Sequence, residues 1–259
     1  MGTYDIIGNI ALVKFSRGMK ISEKKKFAAK LLIGNKSVKT VLEKTEKIKG
    51  RLRVPKTKWI LGEKTKEVLY RENGCDFRLN IETCYFSPRL ASERKEIAEK
   101  IKSGENVLVM FGGVAPFAVV IARRSGARKV VSVELGRECC KYALENVKRN
   151  KFIGKVEIAQ GDVRRVIGRG KKIDEKFDRI VMARPQLKDS FLDVAFSVSK
   201  KGTIVHYYGF YGEDDKEKML EIINKEARKL GKKVRILKIK KAGDIGVRKF
   251  RYRVDFTIL

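Results

Sequence analysis

The chain has 259 residues, 43% of them hydrophobic, which is enough for one large domain or for a medium and a small one. Lysine and arginine number 61 against 31 acidic residues, so the formal net charge is +30. This excess predicts a polyanionic partner, nucleic acid first, although a lysine-rich, heat-adapted proteome would also produce it. The sequence shows neither a signal peptide nor an apolar run long enough to cross a membrane, so we expect a cytoplasmic protein without membrane contact.

The few histidines and cysteines argue against several kinds of catalytic site. The four cysteines are Cys75, Cys84, Cys139 and Cys140, none of them in a CxxC pair, and His206 is the single histidine. We therefore expect no metal site and no Ser-His-Asp or Cys-His catalysis. The cysteines are expected to be free thiols in a reducing cytosol.

Residues 1–84 are predicted to form a small basic α+β domain. The predicted elements are a strand over 6–15, a helix over 22–32 with Ser22 as its N-cap, and strands over 38–43, 58–61, 67–72 and 75–81. Asn73 and Gly74 form the expected hairpin turn between the last two strands. Trp59 and Tyr70 lie among many lysines and arginines, so we expect this domain to contact RNA; a solvated basic face without a partner is the alternative.

Residues 85–259 alternate between strand and helix patterns and are predicted to form a Rossmann-like α/β domain. Strands are predicted over 107–110, 129–134, 155–159, 178–182, 202–208, 233–240 and 249–258, and helices over 92–102, 116–124, 137–149, 163–168, 188–198 and 214–230. Repeated βα units predict a parallel sheet with helices on both faces. The last two strands, joined by a turn at 241–244, predict a terminal antiparallel hairpin, which is typical of class I methyltransferases that use S-adenosyl-L-methionine (AdoMet). A nicotinamide-binding domain would show GxGxxG where this chain has FGGVAP.

Two acids stand at the carboxyl ends of neighbouring predicted strands. Glu134 closes VVSVE and is placed to accept hydrogen bonds from a ribose diol, and Asp162 follows the next strand, where an acid can accept the adenine amino group. With the turn at Gly112 and Gly113, they predict a site for an adenosine-type cofactor. Glu134 alone does not separate NAD from AdoMet, and an exposed acid near a helix N-terminus is the alternative reading of it.

Six short motifs then resemble one family, in chain order. They are GRLR at 50–53, RENGCDF at 71–77, YFSPRLASER at 85–94, MFGG at 110–113, GDVRR at 161–165 and HYYGF at 206–210. The resemblance covers nearly the whole chain and is to the archaeal and eukaryotic type of tRNA (guanine-37-N1)-methyltransferase. It implies a small α/β domain ahead of a class I methyltransferase domain and transfer of a methyl group from AdoMet to guanine N1 beside the anticodon. The implied partner is the tRNA anticodon stem-loop, bound by a monomer.

The same resemblance implies roles for individual residues. Glu93 corresponds to the family's general base, and Arg53 to the arginine that stabilises negative charge on guanine O6. Pro185 keeps its place in the loop after the fourth strand and is grouped with them as catalytic. Arg94 matches a contact to the methionine carboxylate of AdoMet. The expected cofactor-lining residues are Phe111, Gly113, Glu134, Leu135, Asp162 and Val163. Judged from the residues alone, Glu93 would be interpreted as an acid that stabilises a helix N-terminus, and Arg53 as a contact to an RNA phosphate.

The chain departs from the family pattern at three places. Val109 stands where the first strand usually ends in an acid, and Ala115 replaces a usual glycine. Ala183-Arg184-Pro185 stands where the family has Asn-Leu-Pro, so the asparagine expected near the target base is missing. We also expect the additional N-terminal domain of many family members to be absent. Two other functions stay open: the aminocarboxypropyl transfer of wybutosine synthesis, which also uses AdoMet, and tRNA binding without catalysis.

Overall fold

The structure is a computed structural model and describes residues 3–45, 55–183, 189–215, 217–246 and 248–259. The chain divides into two compact units, Met1–Pro88 and Arg89–Leu259. Within the described residues, no helix has both the length and the apolar composition that crossing a bilayer requires.

The first unit contains a four-stranded sheet, a helix and a separate two-stranded hairpin. The sheet has the order β1-β2-β3-β4, with strands β1 (Thr3–Ile7), β2 (Ile10–Lys14), β3 (Thr40–Lys44) and β4 (Thr57–Gly62). The remaining elements are helix α1 (Ile21–Gly34) and the hairpin strands β5 (Glu67–Glu72) and β6 (Cys75–Asn80). Alternate apolar residues of the strands meet one side of α1 in a buried core, formed in part by Val13, Ala28, Leu31, Val41 and Ile60.

Two predictions for this unit are wrong in detail. The strand expected over 6–15 is a hairpin, because Gly8 has a φ of +57° and the chain turns there. Asn9 in this turn is held by two bonds: its side chain donates to the Glu67 carbonyl (3.1 Å) and accepts from the Leu69 N–H (2.7 Å). The helix begins at Ile21 rather than after Ser22, and the Lys20 N–H donates to the Glu23 carboxylate. The Asn73–Gly74 turn is confirmed, with φ of +51° and +77°.

The second unit contains a seven-stranded sheet and, among the described residues, six helices. Its strands are β7 (Asn106–Met110), β8 (Lys129–Glu134), β9 (Val156–Gln160), β10 (Phe177–Met182), β11 (Ser199–Gly212), β12 (Val234–Gly246) and β13 (Lys249–Ile258). Its helices are α2 (Ala91–Glu99), α3 (Pro116–Arg124), α4 (Arg137–Arg149), α5 (Val163–Val166), α6 (Leu192–Ser197) and α7 (Glu217–Lys229).

The strand order is β12-β13-β11-β10-β7-β8-β9, with β11, β10, β7, β8 and β9 parallel. β13 runs antiparallel between β11 and β12. This confirms the predicted Rossmann-like class I fold with its terminal antiparallel hairpin. Because the strands from β10 to β9 are parallel, their last residues, from Met182 to Gln160, lie along one border of the sheet, which we call the carboxyl edge.

Helices cover the two faces of this sheet. On one face, which we call the α6–α7 face, Leu108, Met110 and Ile180 pack with Leu192 of α6 and Ile223 of α7. The alternate strand residues project to the opposite, α2–α4 face, where α3 and α4 contact β8. β7 is buried along its whole length, as its apolar run predicts.

Several predicted boundaries are wrong. The strand predicted over 202–208 is longer at both ends (Ser199–Gly212), and the helix predicted over 92–102 ends at Glu99. Helix α6 starts only at Leu192, and α7 starts at Glu217 after a short 3-10 turn. Residues 241–244 are not the turn of the terminal hairpin, because β12 continues to Gly246. The pairing register shifts between Lys241 and Asp244, and Gly243 has a φ of +133°, so these residues form a bulge within the strand.

Candidate functional site

The loop that follows β7 is pressed tightly against β8. A Cβ at Gly112 would lie 2.1 Å from Ser132 Oγ, so any side chain there would force the buried Ser132 hydroxyl to move. The Gly112 N–H donates to the Val133 carbonyl at 2.8 Å. Phe111 and Gly113 have φ of +63° and +56°, and the last residue before α3, Ala115, has +65°. Ala115 therefore has a left-handed backbone, which glycine adopts freely and which costs an alanine roughly 1–2 kcal/mol.

Glu134 joins this loop to the loop after β8. Its Oε2 accepts from the Gly113 N–H at 2.8 Å, and its Oε1 accepts from the Gly136 N–H at 2.7 Å. A carboxylate offers about four lone-pair sites, so each oxygen can accept one more donor. Glu134 is half-buried and Leu135 beside it is exposed. The acid is thus fixed at the carboxyl edge and keeps acceptor capacity for a diol.

Asp162 and Val163 lie at the next strand end. The Gly161 N–H donates to the Glu134 carbonyl at 2.8 Å, which holds this strand end beside Glu134. Asp162 is the N-cap of α5 and accepts from the Arg164 N–H at 3.0 Å, while Val163 is buried in the core. The structure therefore brings Phe111, Gly113, Glu134 and Asp162 to neighbouring strand ends.

An aromatic and ionic cluster that sequence reasoning missed lies along the same edge. The rings of Phe111 and Phe191 meet edge to face with centroids 5.2 Å apart, and the Arg164 guanidinium lies 5.1 Å from the Phe191 ring. Arg164 also pairs with Asp189 at 2.7 Å and with Asp193. The cluster links α5 to the segment just before and at the start of α6. The GDVRR motif contains Arg164, but nothing local in the sequence indicates that its partners are Asp189, Phe191 and Asp193.

Glu93 is buried in the first turn of α2 and holds three partners. Its Oε1 accepts from Lys240 Nζ at 2.5 Å. Its Oε2 accepts from Arg253 Nη1 at 2.5 Å and from the Tyr208 hydroxyl at 3.0 Å. Glu93 is 4% exposed and Arg253 is fully buried, whereas the Lys240 side chain is 32% exposed. The predicted base is therefore clamped between one buried and one accessible cation.

Arg253 extends this contact into a buried charge network. Its Nη2 donates to Glu96 at 2.5 Å and its Nε to Asp255 at 2.8 Å. Asp255 in turn meets Nδ1 of His206 at 2.7 Å, and Nη1 of Arg179 lies 3.0 Å from the other ring nitrogen, Nε2. Since guanidinium has no acceptor, Nε2 accepts from Arg179 and Nδ1 carries the proton that it donates to Asp255. His206 is accordingly a neutral structural residue.

The surroundings of these groups shift their pKa values. Burial lowers the pKa of His206, although Asp255 opposes the shift. Burial also raises the pKa of Tyr208 well above its usual value, and the negative charge of Glu93 adds to this effect. Burial raises the pKa of Glu96, but the hydrogen bonds from Arg253 and Lys240 outweigh it and bring the pKa down to about 2. Tyr208 therefore keeps its proton and can only donate to Glu93.

Arg94 lies beside the first turn of α3. It is 1% exposed, and its guanidinium carbon lies 5.9 Å from the Phe117 ring. The Phe117 ring meets the Tyr208 ring edge to face at 6.2 Å. Arg94 contacts Phe117 directly, and Glu93 is linked to Phe117 through Tyr208. Both residues therefore lie near the start of α3, the helix that follows the glycine loop. The contact of Arg94 with a methionine carboxylate remains a prediction.

Of three other positions that the sequence analysis singled out, the structure describes only Ala183. Arg53 and Pro185 lie outside the described residues. Ala183 directly follows β10 and is half-buried. Met182 pairs with Tyr207 across β10 and β11, so Ala183 and Tyr208 each lie one residue beyond the same register position.

The carboxyl edge matches the chemistry of an adenosyl group. The glycine loop lets backbone approach closely, Glu134 keeps acceptor capacity for a diol, and Asp162 offers a second acid at the next strand end. Phe111 supplies an aromatic side chain in the same loop. These residues fit the predicted AdoMet, whose sulfonium supplies an activated alkyl group when it is bound.

Two family models match the chain. The model described as the TRM5/TYW2 methyltransferase domain matches residues 68–237, and the model described as the TYW2 N-terminal domain matches residues 2–65. Among curated proteins, the chain is 35% identical to the tRNA (guanine(37)-N(1))-methyltransferase Trm5b of Pyrococcus abyssi over 99% of this chain and 74% of the relative.

Two further relatives carry other activities in their names. One is the tRNA (guanine(37)-N(1))/4-demethylwyosine(37)-methyltransferase Taw22 of Nanoarchaeum equitans, with 30% identity over 99% of this chain and 100% of the relative. The other is the tRNA(Phe) (4-demethylwyosine(37)-C(7)) aminocarboxypropyltransferase of Methanocaldococcus jannaschii, with 28% identity over 92% of each chain.

Solved structures give the same result. The crystal structure of Pyrococcus abyssi Trm5b has a TM-score of 0.87 at 35% identity and covers 99% of this chain and 74% of its own. A complex of aTrm5 with tRNALeu has a TM-score of 0.83 at 26% identity, over 98% and 71%. Methanocaldococcus jannaschii Trm5 with adenosine has a TM-score of 0.82 at 25% identity, over 99% and 74%. The chain belongs to the TRM5/TYW2 methyltransferase family.

Proposed function

We propose that this protein transfers a methyl group from AdoMet to N1 of guanine at position 37 of a tRNA, next to the anticodon, and acts as a monomer. AdoMet is the cofactor of the family. The observation that carries the proposal is the buried Glu93 carboxylate, which Arg253 and Tyr208 hold. Tyr208 follows the residue that pairs with Met182, the last residue of β10. A named relative with 35% identity performs this reaction.

Each residue of the proposed site has a chemical task. Guanine N1 is weakly nucleophilic while it carries a proton, so a carboxylate must take that proton as the new N–C bond forms. Glu93 takes it on Oε1, the oxygen that Lys240 holds, because Oε2 is occupied by buried Arg253 and Tyr208. Arg53 and Pro185 keep their proposed tasks, charge stabilisation at guanine O6 and shaping of the loop after β10.

Cofactor binding is proposed for residues along the carboxyl edge. Glu134 accepts the ribose hydroxyls through its remaining lone pairs, and Asp162 accepts the adenine amino group. Arg94 binds the methionine carboxylate as a buried cation. The other proposed lining residues are Phe111, Gly113, Leu135 and Val163.

The domain division that we propose, 1–84 and 85–259, gives RNA contact and Arg53 to the first domain, and cofactor binding and the proposed base to the second. The first domain is dense in lysine and arginine, and its Trp59 ring is 38% exposed on β4. An exposed aromatic ring among cations is suited to nucleic acid, since bases stack on such rings while cations contact phosphates.

Glu93→Gln tests the proposed base. The amide keeps an oxygen for Arg253 and Tyr208 but cannot take the N1 proton, so single-turnover methylation of unmodified tRNA should slow by roughly 10²–10⁴-fold. AdoMet and tRNA affinities should change little, because the loss arises in the transition state. Glu99→Gln, at an exposed position of the same helix, is the matched control and should react like the parent. Equal rates for Glu93→Gln and the parent would make Glu93 a structural acid.

Aminocarboxypropyl transfer is the second candidate. Ala183 replaces the asparagine that the methyltransferase motif has, residues 2–65 match the TYW2 N-terminal domain, and one relative with this activity matches over 92% of both chains. Mass spectrometry of tRNA after reaction with labelled AdoMet separates the candidates. A gain of one methyl supports the first, a gain of an aminocarboxypropyl group supports the second, and an unchanged tRNA supports binding without catalysis.

A further inference from the structure

The outer border of β12 carries a row of exposed cations. β12 is the end strand of the seven-stranded sheet, and Arg235, Lys238 and Lys241 are exposed on it. Between residues 234 and 258, eight lysines and arginines stand against two acids. Asp255 and one of the cations, Arg253, are buried together in the charge network, and the other acid, Asp244, pairs with Lys241 at 3.1 Å, which leaves six cations without an acid of this hairpin beside them. The outward charge of the terminal hairpin is therefore strongly positive.

The same strand reaches the proposed base. Lys240 lies between Lys238 and Lys241 in the sequence, and its ammonium contacts Glu93 at 2.5 Å while the side chain stays 32% exposed. Since Glu93 is proposed to act on a nucleobase, the backbone on either side of that base must pass close to Lys240. The nearest exposed cations along the strand are then those of the β12 border.

We propose that the β12 border, formed by Arg235, Lys238 and Lys241, binds the phosphates of the tRNA that flank the target base. This inference rests on the proposed function, because it takes Glu93 as the point where the base is bound. Phosphate contacts fix the register of an RNA without reading its sequence, which is what the delivery of one nucleotide to Glu93 requires. Lys240 connects this border to the site.

The other occupant to consider is a second protein strand. End strands expose unpaired backbone groups, and lysines there commonly prevent such pairing. A second copy of this chain would bring two equal rows of cations together, so charge opposes it. Leu237 and Ile239 are 47% and 40% exposed on the same strand. If the lysines served only to prevent pairing with another strand, exposed apolar side chains beside them would serve no purpose. The side chains of Leu237 and Ile239 can lie against sugars and base faces.

A matched pair of triple variants tests the proposal. The border variant is Arg235→Gln/Lys238→Gln/Lys241→Gln. The control is Lys218→Gln/Lys225→Gln/Arg228→Gln, which removes the same charges from exposed positions of α7, on the opposite face of the sheet from Glu93. Affinity for an unmodified tRNA transcript is measured against salt concentration for both, together with AdoMet affinity and the state of association.

The border variant should bind tRNA roughly tenfold more weakly at about 0.15 M salt, with a log–log salt slope shallower by about two to three. The control should lose much less, and AdoMet affinity should be unchanged in both. Equal losses in the two variants would overturn the proposal, and so would a border variant that self-associates but binds tRNA normally. The binding measurement does not depend on methyl transfer. It can therefore reject the β12 border while the Glu93→Gln rate test supports the proposed function, or the reverse.

Discussion

Glu134 has two tasks at the scale of a single residue. Its oxygens already hold the backbone of Gly113 and Gly136, and the proposed cofactor would use the lone pairs that remain. Removing the carboxylate should therefore loosen the two loops and delete the proposed cofactor contact at the same time.

We predict that Glu134→Ala weakens AdoMet binding by about 1–3 kcal/mol, because the ribose donors and two loop amides lose their acceptor. Asp162→Ala should weaken it by a similar amount, since it removes both the proposed adenine acceptor and the cap of α5. Isothermal titration calorimetry measures both. Glu138→Ala, at an exposed position of α4 where Glu138 pairs with Lys141, is the control and should bind normally. Unchanged affinity in Glu134→Ala and Asp162→Ala would reject the cofactor assignment.

Ala183 gives a gain-of-function prediction. Ala183→Asn restores an amide where the family has one, directly after β10, and should raise the rate of methyl transfer if guanine is the substrate. Single-turnover kinetics on an unmodified transcript measure the change, with Ala183→Val as the control that adds bulk without a hydrogen-bonding group. If Ala183→Asn reacts no faster than the parent while Ala183→Val keeps the parent's rate, bulk is not the obstacle and the prediction of a guanine-binding amide is wrong.

The partners of Glu93 show where residue-level prediction stops. The motif FSPRLASER identifies Glu93 itself, because the residues lie next to one another in sequence. Tyr208, Lys240 and Arg253 are 115, 147 and 160 positions away and reach Glu93 only through the register of β11, β12 and β13. Nothing local in the sequence fixes that register, so the clamp on Glu93 could not be predicted.

At the scale of elements, the ion pair between Glu96 and Arg253 fastens α2 to β13. Glu96 has a folded-state pKa of about 2 against an ordinary value of 4.5. A lowered folded pKa contributes stability that is fully present above 4.5 and is lost as the pH falls toward 2.

We predict that Glu96→Gln lowers the free energy of unfolding by roughly 1–3 kcal/mol at pH 7, because Arg253 loses one of its charged acceptors. The difference from the parent should shrink as the pH falls from 4.5 toward 2, where the parent's Glu96 is protonated as well. Urea unfolding at several pH values measures this, with Glu99→Gln as an exposed control on the same helix. A difference independent of pH would mean that Glu96 acts through packing rather than charge.

Helices and strands were predicted accurately where neighbouring residues mark their ends, and poorly where pairing with a distant strand decides them. β7, β8 and α3 match their predicted ranges within a residue, because buried apolar runs and Pro116 mark them clearly. β12 was predicted to end near 240, since Gly243 and Asp244 read as a turn. The bulge there arises from the way β12 pairs with β13, and the residues of β12 alone do not determine that pairing.

At the scale of the whole molecule, charge is the dominant property. A net charge of +30 should make tRNA binding depend on counterion release, so the logarithm of the association constant should fall steeply and linearly with the logarithm of salt concentration. Filter binding or fluorescence titration between about 0.05 and 0.2 M salt measures the slope. A flat response would contradict a binding mode dominated by phosphate contacts.

The position of β13 sets an order of events during synthesis. It follows both β11 and β12 in sequence, yet it lies between them in the sheet, so neither strand can pair with it until residues 249–258 leave the ribosome. At 5–20 residues per second those ten residues take roughly one second. During that interval Glu93, Glu96 and His206 have been made without Arg253 and Asp255. The proposed base therefore gains its contact with Arg253 only after residues 249–258 have been made, and a shorter nascent chain lacks that contact.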